Sequence, residues 1–246
     1  MRGEVEFRSD KLAVLIDADN TSTKVMESLL REIAKFGTAY VKRIYGDWTS
    51  PQMNTWKKVL NDFALVPIQQ FSYTSGKNST DSALIIDAMD LLYTDKFDAF
   101  CIVSSDSDFT RLTHRIRQNG LAVYGFGRKS TPKAFVSACD RFISTDLLVE
   151  EIDNENLQDE INKDANSVEI GTIKKGKQLN KLLKNAYEAA AGEGNINVNL
   201  GAVGQQLQRL DPAFDCRAYG HKKLGDLLKS TGLFIIDGNS ISLQKK

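Results

Sequence analysis

The sequence is poor in the side chains that build zinc sites and disulfide frames. It has two histidines, His114 and His221, and three cysteines, Cys101, Cys139 and Cys216, far apart in the chain. No two cysteines are close enough in sequence for a Cys/His zinc motif. With no signal-peptide pattern ahead of them, widely spaced thiols predict a reduced, cytoplasmic protein rather than a cross-linked one. No apolar run approaches the ~18 residues that a membrane span requires, so no membrane partner is expected. Internal repeats and low-complexity tracts are also lacking. Net charge is absent overall, with 32 basic and 32 acidic residues.

The distribution of that charge is uneven. Residues 1–149 carry 19 Lys and Arg against 18 Asp and Glu, residues 150–170 carry one against 8, and residues 171–246 carry 12 against 6. A basic C-terminal segment behind an acidic connector suits a nucleic-acid-binding module, and a solvated surface alone also produces it.

Two stretches organise the chain. Leu12-Ala13-Val14-Leu15-Ile16 runs without alternation into Asp17-Ala18-Asp19-Asn20, and Ala99-Phe100-Cys101-Ile102-Val103 runs into Ser104-Ser105-Asp106-Ser107-Asp108. Unbroken apolar runs of this length suit strands buried on both faces, as at the middle of a parallel sheet. Around them, strands alternate with helices. Helices are expected over 21–36, from Ser50-Pro51 onward, over 81–93 and over 109–118, with strands over 39–45, 65–71 and 121–126. A short helix at Pro132 and a strand over 141–144 close the series. The pattern predicts an α/β domain with a parallel sheet, helices on both faces and the two apolar strands adjacent at its centre. Residues 150–172 read as an acidic linker. Beyond it, three helical segments and a hairpin around Asp237-Gly238-Asn239 describe a small winged-helix domain over 173–246.

In open α/β sheets the carboxyl ends of the strands form the ligand edge. Asp17 ends the first strand, Asp106 and Asp108 follow the fourth, and Asp81 opens the helix after the third. Carboxylates brought together this way raise one another's pKa unless a cation neutralises them. Oxygen ligands alone favour Mg²⁺ or Mn²⁺ over zinc, and such an ion activates water against a phosphoryl group. Asn20 is placed to hold Asp17 or orient a water. The competing reading is that Asp19, Asn20, Ser105 and Ser107 cap helices. That accounts for one strand end less awkwardly than for three.

The motifs Leu15-Ile16-Asp17-Ala18-Asp19-Asn20, Lys77-Asn78-Ser79-Thr80-Asp81 through Asp87, and Val103-Ser104-Ser105-Asp106-Ser107-Asp108-Phe109 resemble those of NYN-domain nucleases, a branch of the PIN-like ribonucleases. The resemblance spans about residues 10–145. It implies a Rossmann-like PIN fold and metal-dependent hydrolysis of RNA, with Asp17, Asp81, Asp106 and Asp108 as metal and catalytic residues and Asn20 beside them. Asp87 matches a recurrent position but lies deep on its helix, and Asp19 stands where the family is variable. The C-terminal stretch Phe214-Asp215-Cys216-Arg217-Ala218-Tyr219-Gly220-His221-Lys222-Lys223-Leu224 resembles the LOTUS domain, also called OST-HTH. That resemblance implies binding of RNA and, in some members, of a protein partner.

Six further residues are candidates for RNA contact: Lys77 in the loop before Asp81, Trp48 at the end of the second strand, Arg111 on the helix after Asp108, and Tyr219, Lys222 and Lys223 in the C-terminal domain. Each also has a plainer role, as a loop cation, a buried ring, a turn residue or a solvated charge. The expected substrate is single-stranded RNA, and pairing of two chains is left open by the sequence. Two other functions compete. Asp17-Ala18-Asp19-Asn20-Thr21 fits the Asp-x-Asp-x-Thr signature of haloacid-dehalogenase-type phosphatases, whose first Asp is a nucleophile. Neither Tyr45-Gly46-Asp47 nor Gln70-Phe71-Ser72 supplies the Ser- or Thr-ended strand that this fold needs. A PIN-like scaffold that only binds RNA or protein is the third reading.

Overall fold

Five consecutive apolar side chains in a strand point alternately to both faces, so both faces must be covered. In the computed structural model, which describes residues 10–71, 79–149, 172–191 and 198–244, strand β1 (Lys11–Asp17) meets that requirement. Leu12 through Ile16 have no solvent exposure. The neighbours of β1 are β2 (Thr38–Gly46) and β4 (Ala99–Val103), both parallel to it. With β3 (Val66–Gln69), β5 (Ala122–Gly127) and β6 (Arg141–Ser144), they form a six-stranded parallel sheet of order β3-β2-β1-β4-β5-β6. The two apolar strands are adjacent at its centre, as their composition predicts.

Each face of β1 and β4 carries its own core. Leu12, Val14, Ile16, Cys101 and Val103 pack with α1 (Met26–Ile33) through Met26, Leu29 and Ile33. On the opposite face, Ala13, Leu15, Phe100 and Ile102 pack with Leu84, Ala88, Leu91 and Leu92 of α3 (Ser79–Leu92), with Leu112 and Ile116 of α4 (Thr110–Gln118), and with Phe135 of α5 (Lys133–Ala138). A further helical segment, α6, covers 145–149. Chain order runs outward in one direction from β1 to β3 and in the other from β4 to β6. The sheet therefore changes winding direction between β1 and β4, and a crevice opens there at the carboxyl ends.

The segment after Ser50-Pro51 differs from expectation. Ser50 does cap, its hydroxyl accepting from the Gln52 amide, but the regular helix α2 spans only Asn54–Lys57. Val59, Leu60 and Phe63, whose spacing with Trp56 suits one face of a longer helix, still pack on the core, from irregular turns. Apolar spacing reported their burial and not their backbone.

The chain divides into two compact units, 1–153 and 154–246. The second contains α7 (Thr172–Ala191), α8 (Leu200–Leu210) and α9 (Leu224–Ser230) around Leu183, Val203, Leu207, Leu228 and Ile241. Its hairpin, β8 (Phe234–Asp237) and β9 (Ser240–Leu243), turns through Gly238 at φ +56°, a left-handed conformation that glycine adopts without a Cβ clash. A short strand β7 (Val198–Asn199), not anticipated from the sequence, pairs with β9. The acidic linker falls almost wholly outside the described residues. Among the described residues no helix is long and apolar enough to cross a membrane.

Close packing behind the crevice makes β5 a sensitive point. A Cβ on Gly125 would lie 2.6 Å from Cys139 Sγ and 2.7 Å from Phe142 Cδ2. Gly125→Ala is expected to cost about 1–3 kcal/mol through overpacking, read as a lower urea midpoint of the full chain with unchanged slope.

Candidate functional site

Parallel strands put all their carboxyl ends on one edge, and the acids follow from that. Asp17 is the last residue of β1, only 1% exposed. A buried carboxylate must be hydrogen-bonded, and this one is held on both oxygens. Ser104 Oγ and Asn20 Nδ2 both donate to Oδ2 at 2.7 Å, and the Asp19 amide donates to Oδ1 at 3.1 Å. Ser104 follows β4 directly and also accepts from the Asp106 amide at 3.1 Å. One hydroxyl thus joins the end of β1 to the start of the second acidic turn. Of the two roles open to Asn20, its bond is the one that holds Asp17. Ser104 was legible only as part of a motif, because its job depends on β1 and β4 being neighbours.

Asp106 Oδ1 accepts from the Asp108 amide at 2.9 Å, capping the short helical turn Ser107–Phe109. Capping and clustering coexist here. Asp81 sits in the first turn of α3, and carboxylate oxygens of Asp81, Asp106 and Asp108 lie within 4.8 Å of one another. Asp17 is not a member of that trio but is close enough to act on it. Burial first, then the charges of Asp17, Asp106, Asp108 and Asp19, push the Asp81 carboxyl up to about 6. Asp19 is also raised, by burial and by Asp17, while a hydrogen bond from the Thr80 side chain opposes the shift. That bond ties the loop after β1 to the start of α3.

The donor set fits a hard divalent cation. It is all carboxylate oxygen, it has no histidine or thiol among the described residues of the cluster, and its members repel one another without a counter-charge.

The other candidate residues are not members of the acidic trio, and several serve the fold. Asp87 on α3 binds Arg43 and the Tyr45 hydroxyl, both from β2, and so pins the helix to the sheet. The Trp48 indole N–H donates to the Ile68 carbonyl at 2.9 Å, and its ring packs against the core. Arg111 is exposed near the start of α4. Arg115 contacts the Tyr93 ring and hydroxyl, and Arg117 pairs with Asp140 at 2.9 Å. In the second unit Tyr219 stacks on Phe214 with centroids 6.1 Å apart, while Lys222 and Lys223 are exposed. Lys77 lies outside the described residues.

A family model described as NYN domain matches residues 11–150, and one described as OST-HTH/LOTUS domain matches residues 174–245. No curated protein matches the chain. Among solved structures, a protein of unknown function from Vibrio parahaemolyticus RIMD 2210633 is similar at 18% identity. The match covers 57% of this chain and 96% of that one, with a TM-score of 0.49.

The raised Asp81 carboxyl makes stability depend on pH. Between its ordinary value of 3.8 and about 6 the folded state holds a proton that the unfolded state has lost. The Asp81 contribution therefore falls as pH rises through that window and is lowest above it. Urea unfolding of the full chain in EDTA, stepped from pH 4.5 to 7, should show this decline, and Asp81→Asn should flatten it.

Proposed function

Since the chain belongs to the NYN-domain family of PIN-like nucleases and carries a C-terminal OST-HTH/LOTUS module of the RNA-binding kind, we propose that it is a metal-dependent ribonuclease acting on single-stranded RNA. The observation that carries this reading is the convergence of Asp81, Asp106 and Asp108 beside the buried, fully engaged Asp17. Asp81, Asp106 and Asp108 would hold Mg²⁺ or Mn²⁺. When bound, such an ion makes water a better nucleophile and neutralises charge on the phosphoryl group.

The chain's own residues have separable tasks. Asp17 supplies fixed negative charge behind the trio. Ser104 and Asn20 keep its carboxylate from turning. Asp108 is exposed, where an incoming strand would reach it. Cleavage by in-line attack would leave 5′-phosphate and 3′-hydroxyl ends. Lys77, Trp48 and Arg111 are the candidate contacts on the nuclease unit, and Tyr219, Lys222 and Lys223 on the C-terminal one. The excess of basic residues over 171–246 gives that module the longer-range attraction for RNA. Three unpaired thiols, two of them buried, are in keeping with a reducing compartment such as the cytoplasm.

Phosphatase chemistry through Asp17 is disfavoured by the same geometry. A carboxylate 1% exposed that already accepts three hydrogen bonds is poorly placed to attack phosphorus. The remaining rival is an RNA- or protein-binding scaffold without turnover.

Labelled single-stranded RNA incubated with the full chain separates the two. The expected outcome is cleavage in Mn²⁺ or Mg²⁺, none in EDTA, and a loss of at least about a hundredfold in Asp106→Asn, since the turn it caps survives while a ligand charge is removed. RNA bound but uncut under all metal conditions would leave the scaffold reading in its place.

A further inference from the structure

A cleft of about 140 Å³ opens on the β5 side of the acids. Val25, Val103 and Phe126 give it apolar walls, and Asn20, Ser22 and Thr145 give it polar ones. It is joined to the site at two points. Asn20 lines the cleft and also donates to Asp17 at 2.7 Å. Arg128, another lining residue, donates its backbone N–H to Ser105 Oγ at 2.9 Å, one residue before Asp106.

We propose that this cleft is a pyrimidine subsite, taking the flipped base of a nucleotide next to the scissile phosphate. The proposal rests on the ribonuclease reading for its substrate, though base binding itself needs no turnover.

Size argues for a single ring. Pockets for whole drug-sized ligands start near ~300 Å³, so a complete nucleotide does not fit. A cavity of about 150 Å³ accepts benzene, and a pyrimidine is a six-membered ring of similar bulk. The fused rings of a purine would project from it. Chemistry argues for a base over a phosphate, because three apolar walls reward an aromatic face. The rim carries Asp146, whose carboxylate accepts from the Lys129 amide and the Ser144 hydroxyl and adds negative charge. With Arg128 also in the lining the two charges balance, so the cleft does not select an anion.

Thr145 supplies the pointer to a ligand. It is 9% exposed and lines the cleft, and its hydroxyl takes part in none of the hydrogen bonds among the described residues. The hydroxyl itself is not sealed off but opens on the cleft, where an acceptor on a ligand can replace water. The carbonyl oxygens of uracil, or the carbonyl and ring nitrogen of cytosine, would provide one. Single-stranded RNA exposes those edges when a base is splayed out of its stack.

The full chain in EDTA, where nothing can be cut, gives the test by calorimetry. The ligands are uridine and adenosine 5′-monophosphates, a pentamer of adenylates, and the same pentamer with one central uridine. The uridine-bearing pentamer should bind most tightly, and uridine monophosphate should bind more tightly than adenosine monophosphate. Thr145→Val keeps the volume, removes the hydroxyl, and should weaken the uridine ligands roughly fivefold while leaving the adenosine ligands unchanged. Ser22→Phe should fill the cleft and abolish the preference. Melting curves show whether each variant is folded, and Thr145→Val decides the matter if Ser22→Phe is not. Equal affinities for the uridine and adenosine ligands would overturn the subsite, as would a preference that survives both variants. A monophosphate that outbinds the uridine pentamer would overturn the assignment to RNA. Failure of the ribonuclease reading looks different: the uridine preference persists in EDTA, yet no metal ion brings about cleavage.

Discussion

The buried carboxylate of Asp17 is the fixed point of the molecule. Its oxygens receive Ser104 from the end of β4, Asn20 from the following loop and the Asp19 amide. These bonds pin two central strands at the edge where their carboxyl ends emerge. Burial of Leu12–Ile16 and Phe100–Ile102 on two faces then leaves no freedom of register, because a one-residue slip would exchange the two cores. The acidic turn Asp106–Asp108 and the first turn of α3 are consequently delivered to the same few ångströms.

That delivery runs against stability. Burial, and then the charges of Asp17, Asp106, Asp108 and Asp19, push Asp81 up and destabilise the charged form of the metal-free protein. A fold selected for stability alone would place Asn or Ser at one of these positions. The fold holds the cluster in place with interactions remote from it. Asp87 ties α3 to β2 through Arg43 and Tyr45, and Thr80 ties its first turn to Asp19. Conflict between local cost and global order is the usual mark of a functional site, and here it falls where a cation would relieve it.

Much of this was legible in the sequence, for physical reasons. Two apolar runs without alternation demanded burial on both faces, which places them centrally and side by side. Acids following those runs had to share an edge because parallel strands share polarity. The position of Asp81 followed from its helix starting at that edge. What stayed hidden depends on neighbours distant in the chain. Ser104 resembles any cap residue until β1 lies beside β4. Asp87, deep on its helix, stays open between a site role and a structural one until Arg43 and Tyr45 are seen to claim it. The apolar spacing of Val59, Leu60 and Phe63 is satisfied by irregular turns as well as by a helix. Strand β7 is two residues long, too short for any pattern, and exists through pairing with β9. The cleft beside Asn20 arises from four separate segments and has no sequence signature.

Proton release on cation binding tests the central claim most directly. With the Asp81 carboxyl near 6, a substantial share of molecules at pH 6 hold a proton among these acids, and a divalent ion entering the trio must expel it. Titration of the full chain with Mn²⁺ at pH 6, in buffers of different ionisation enthalpy, measures the release. The account predicts one binding event that releases a fraction of a proton, with the release lost in Asp81→Asn and diminished at pH 8. Binding without proton release at pH 6, or release unaltered by Asp81→Asn, would contradict it.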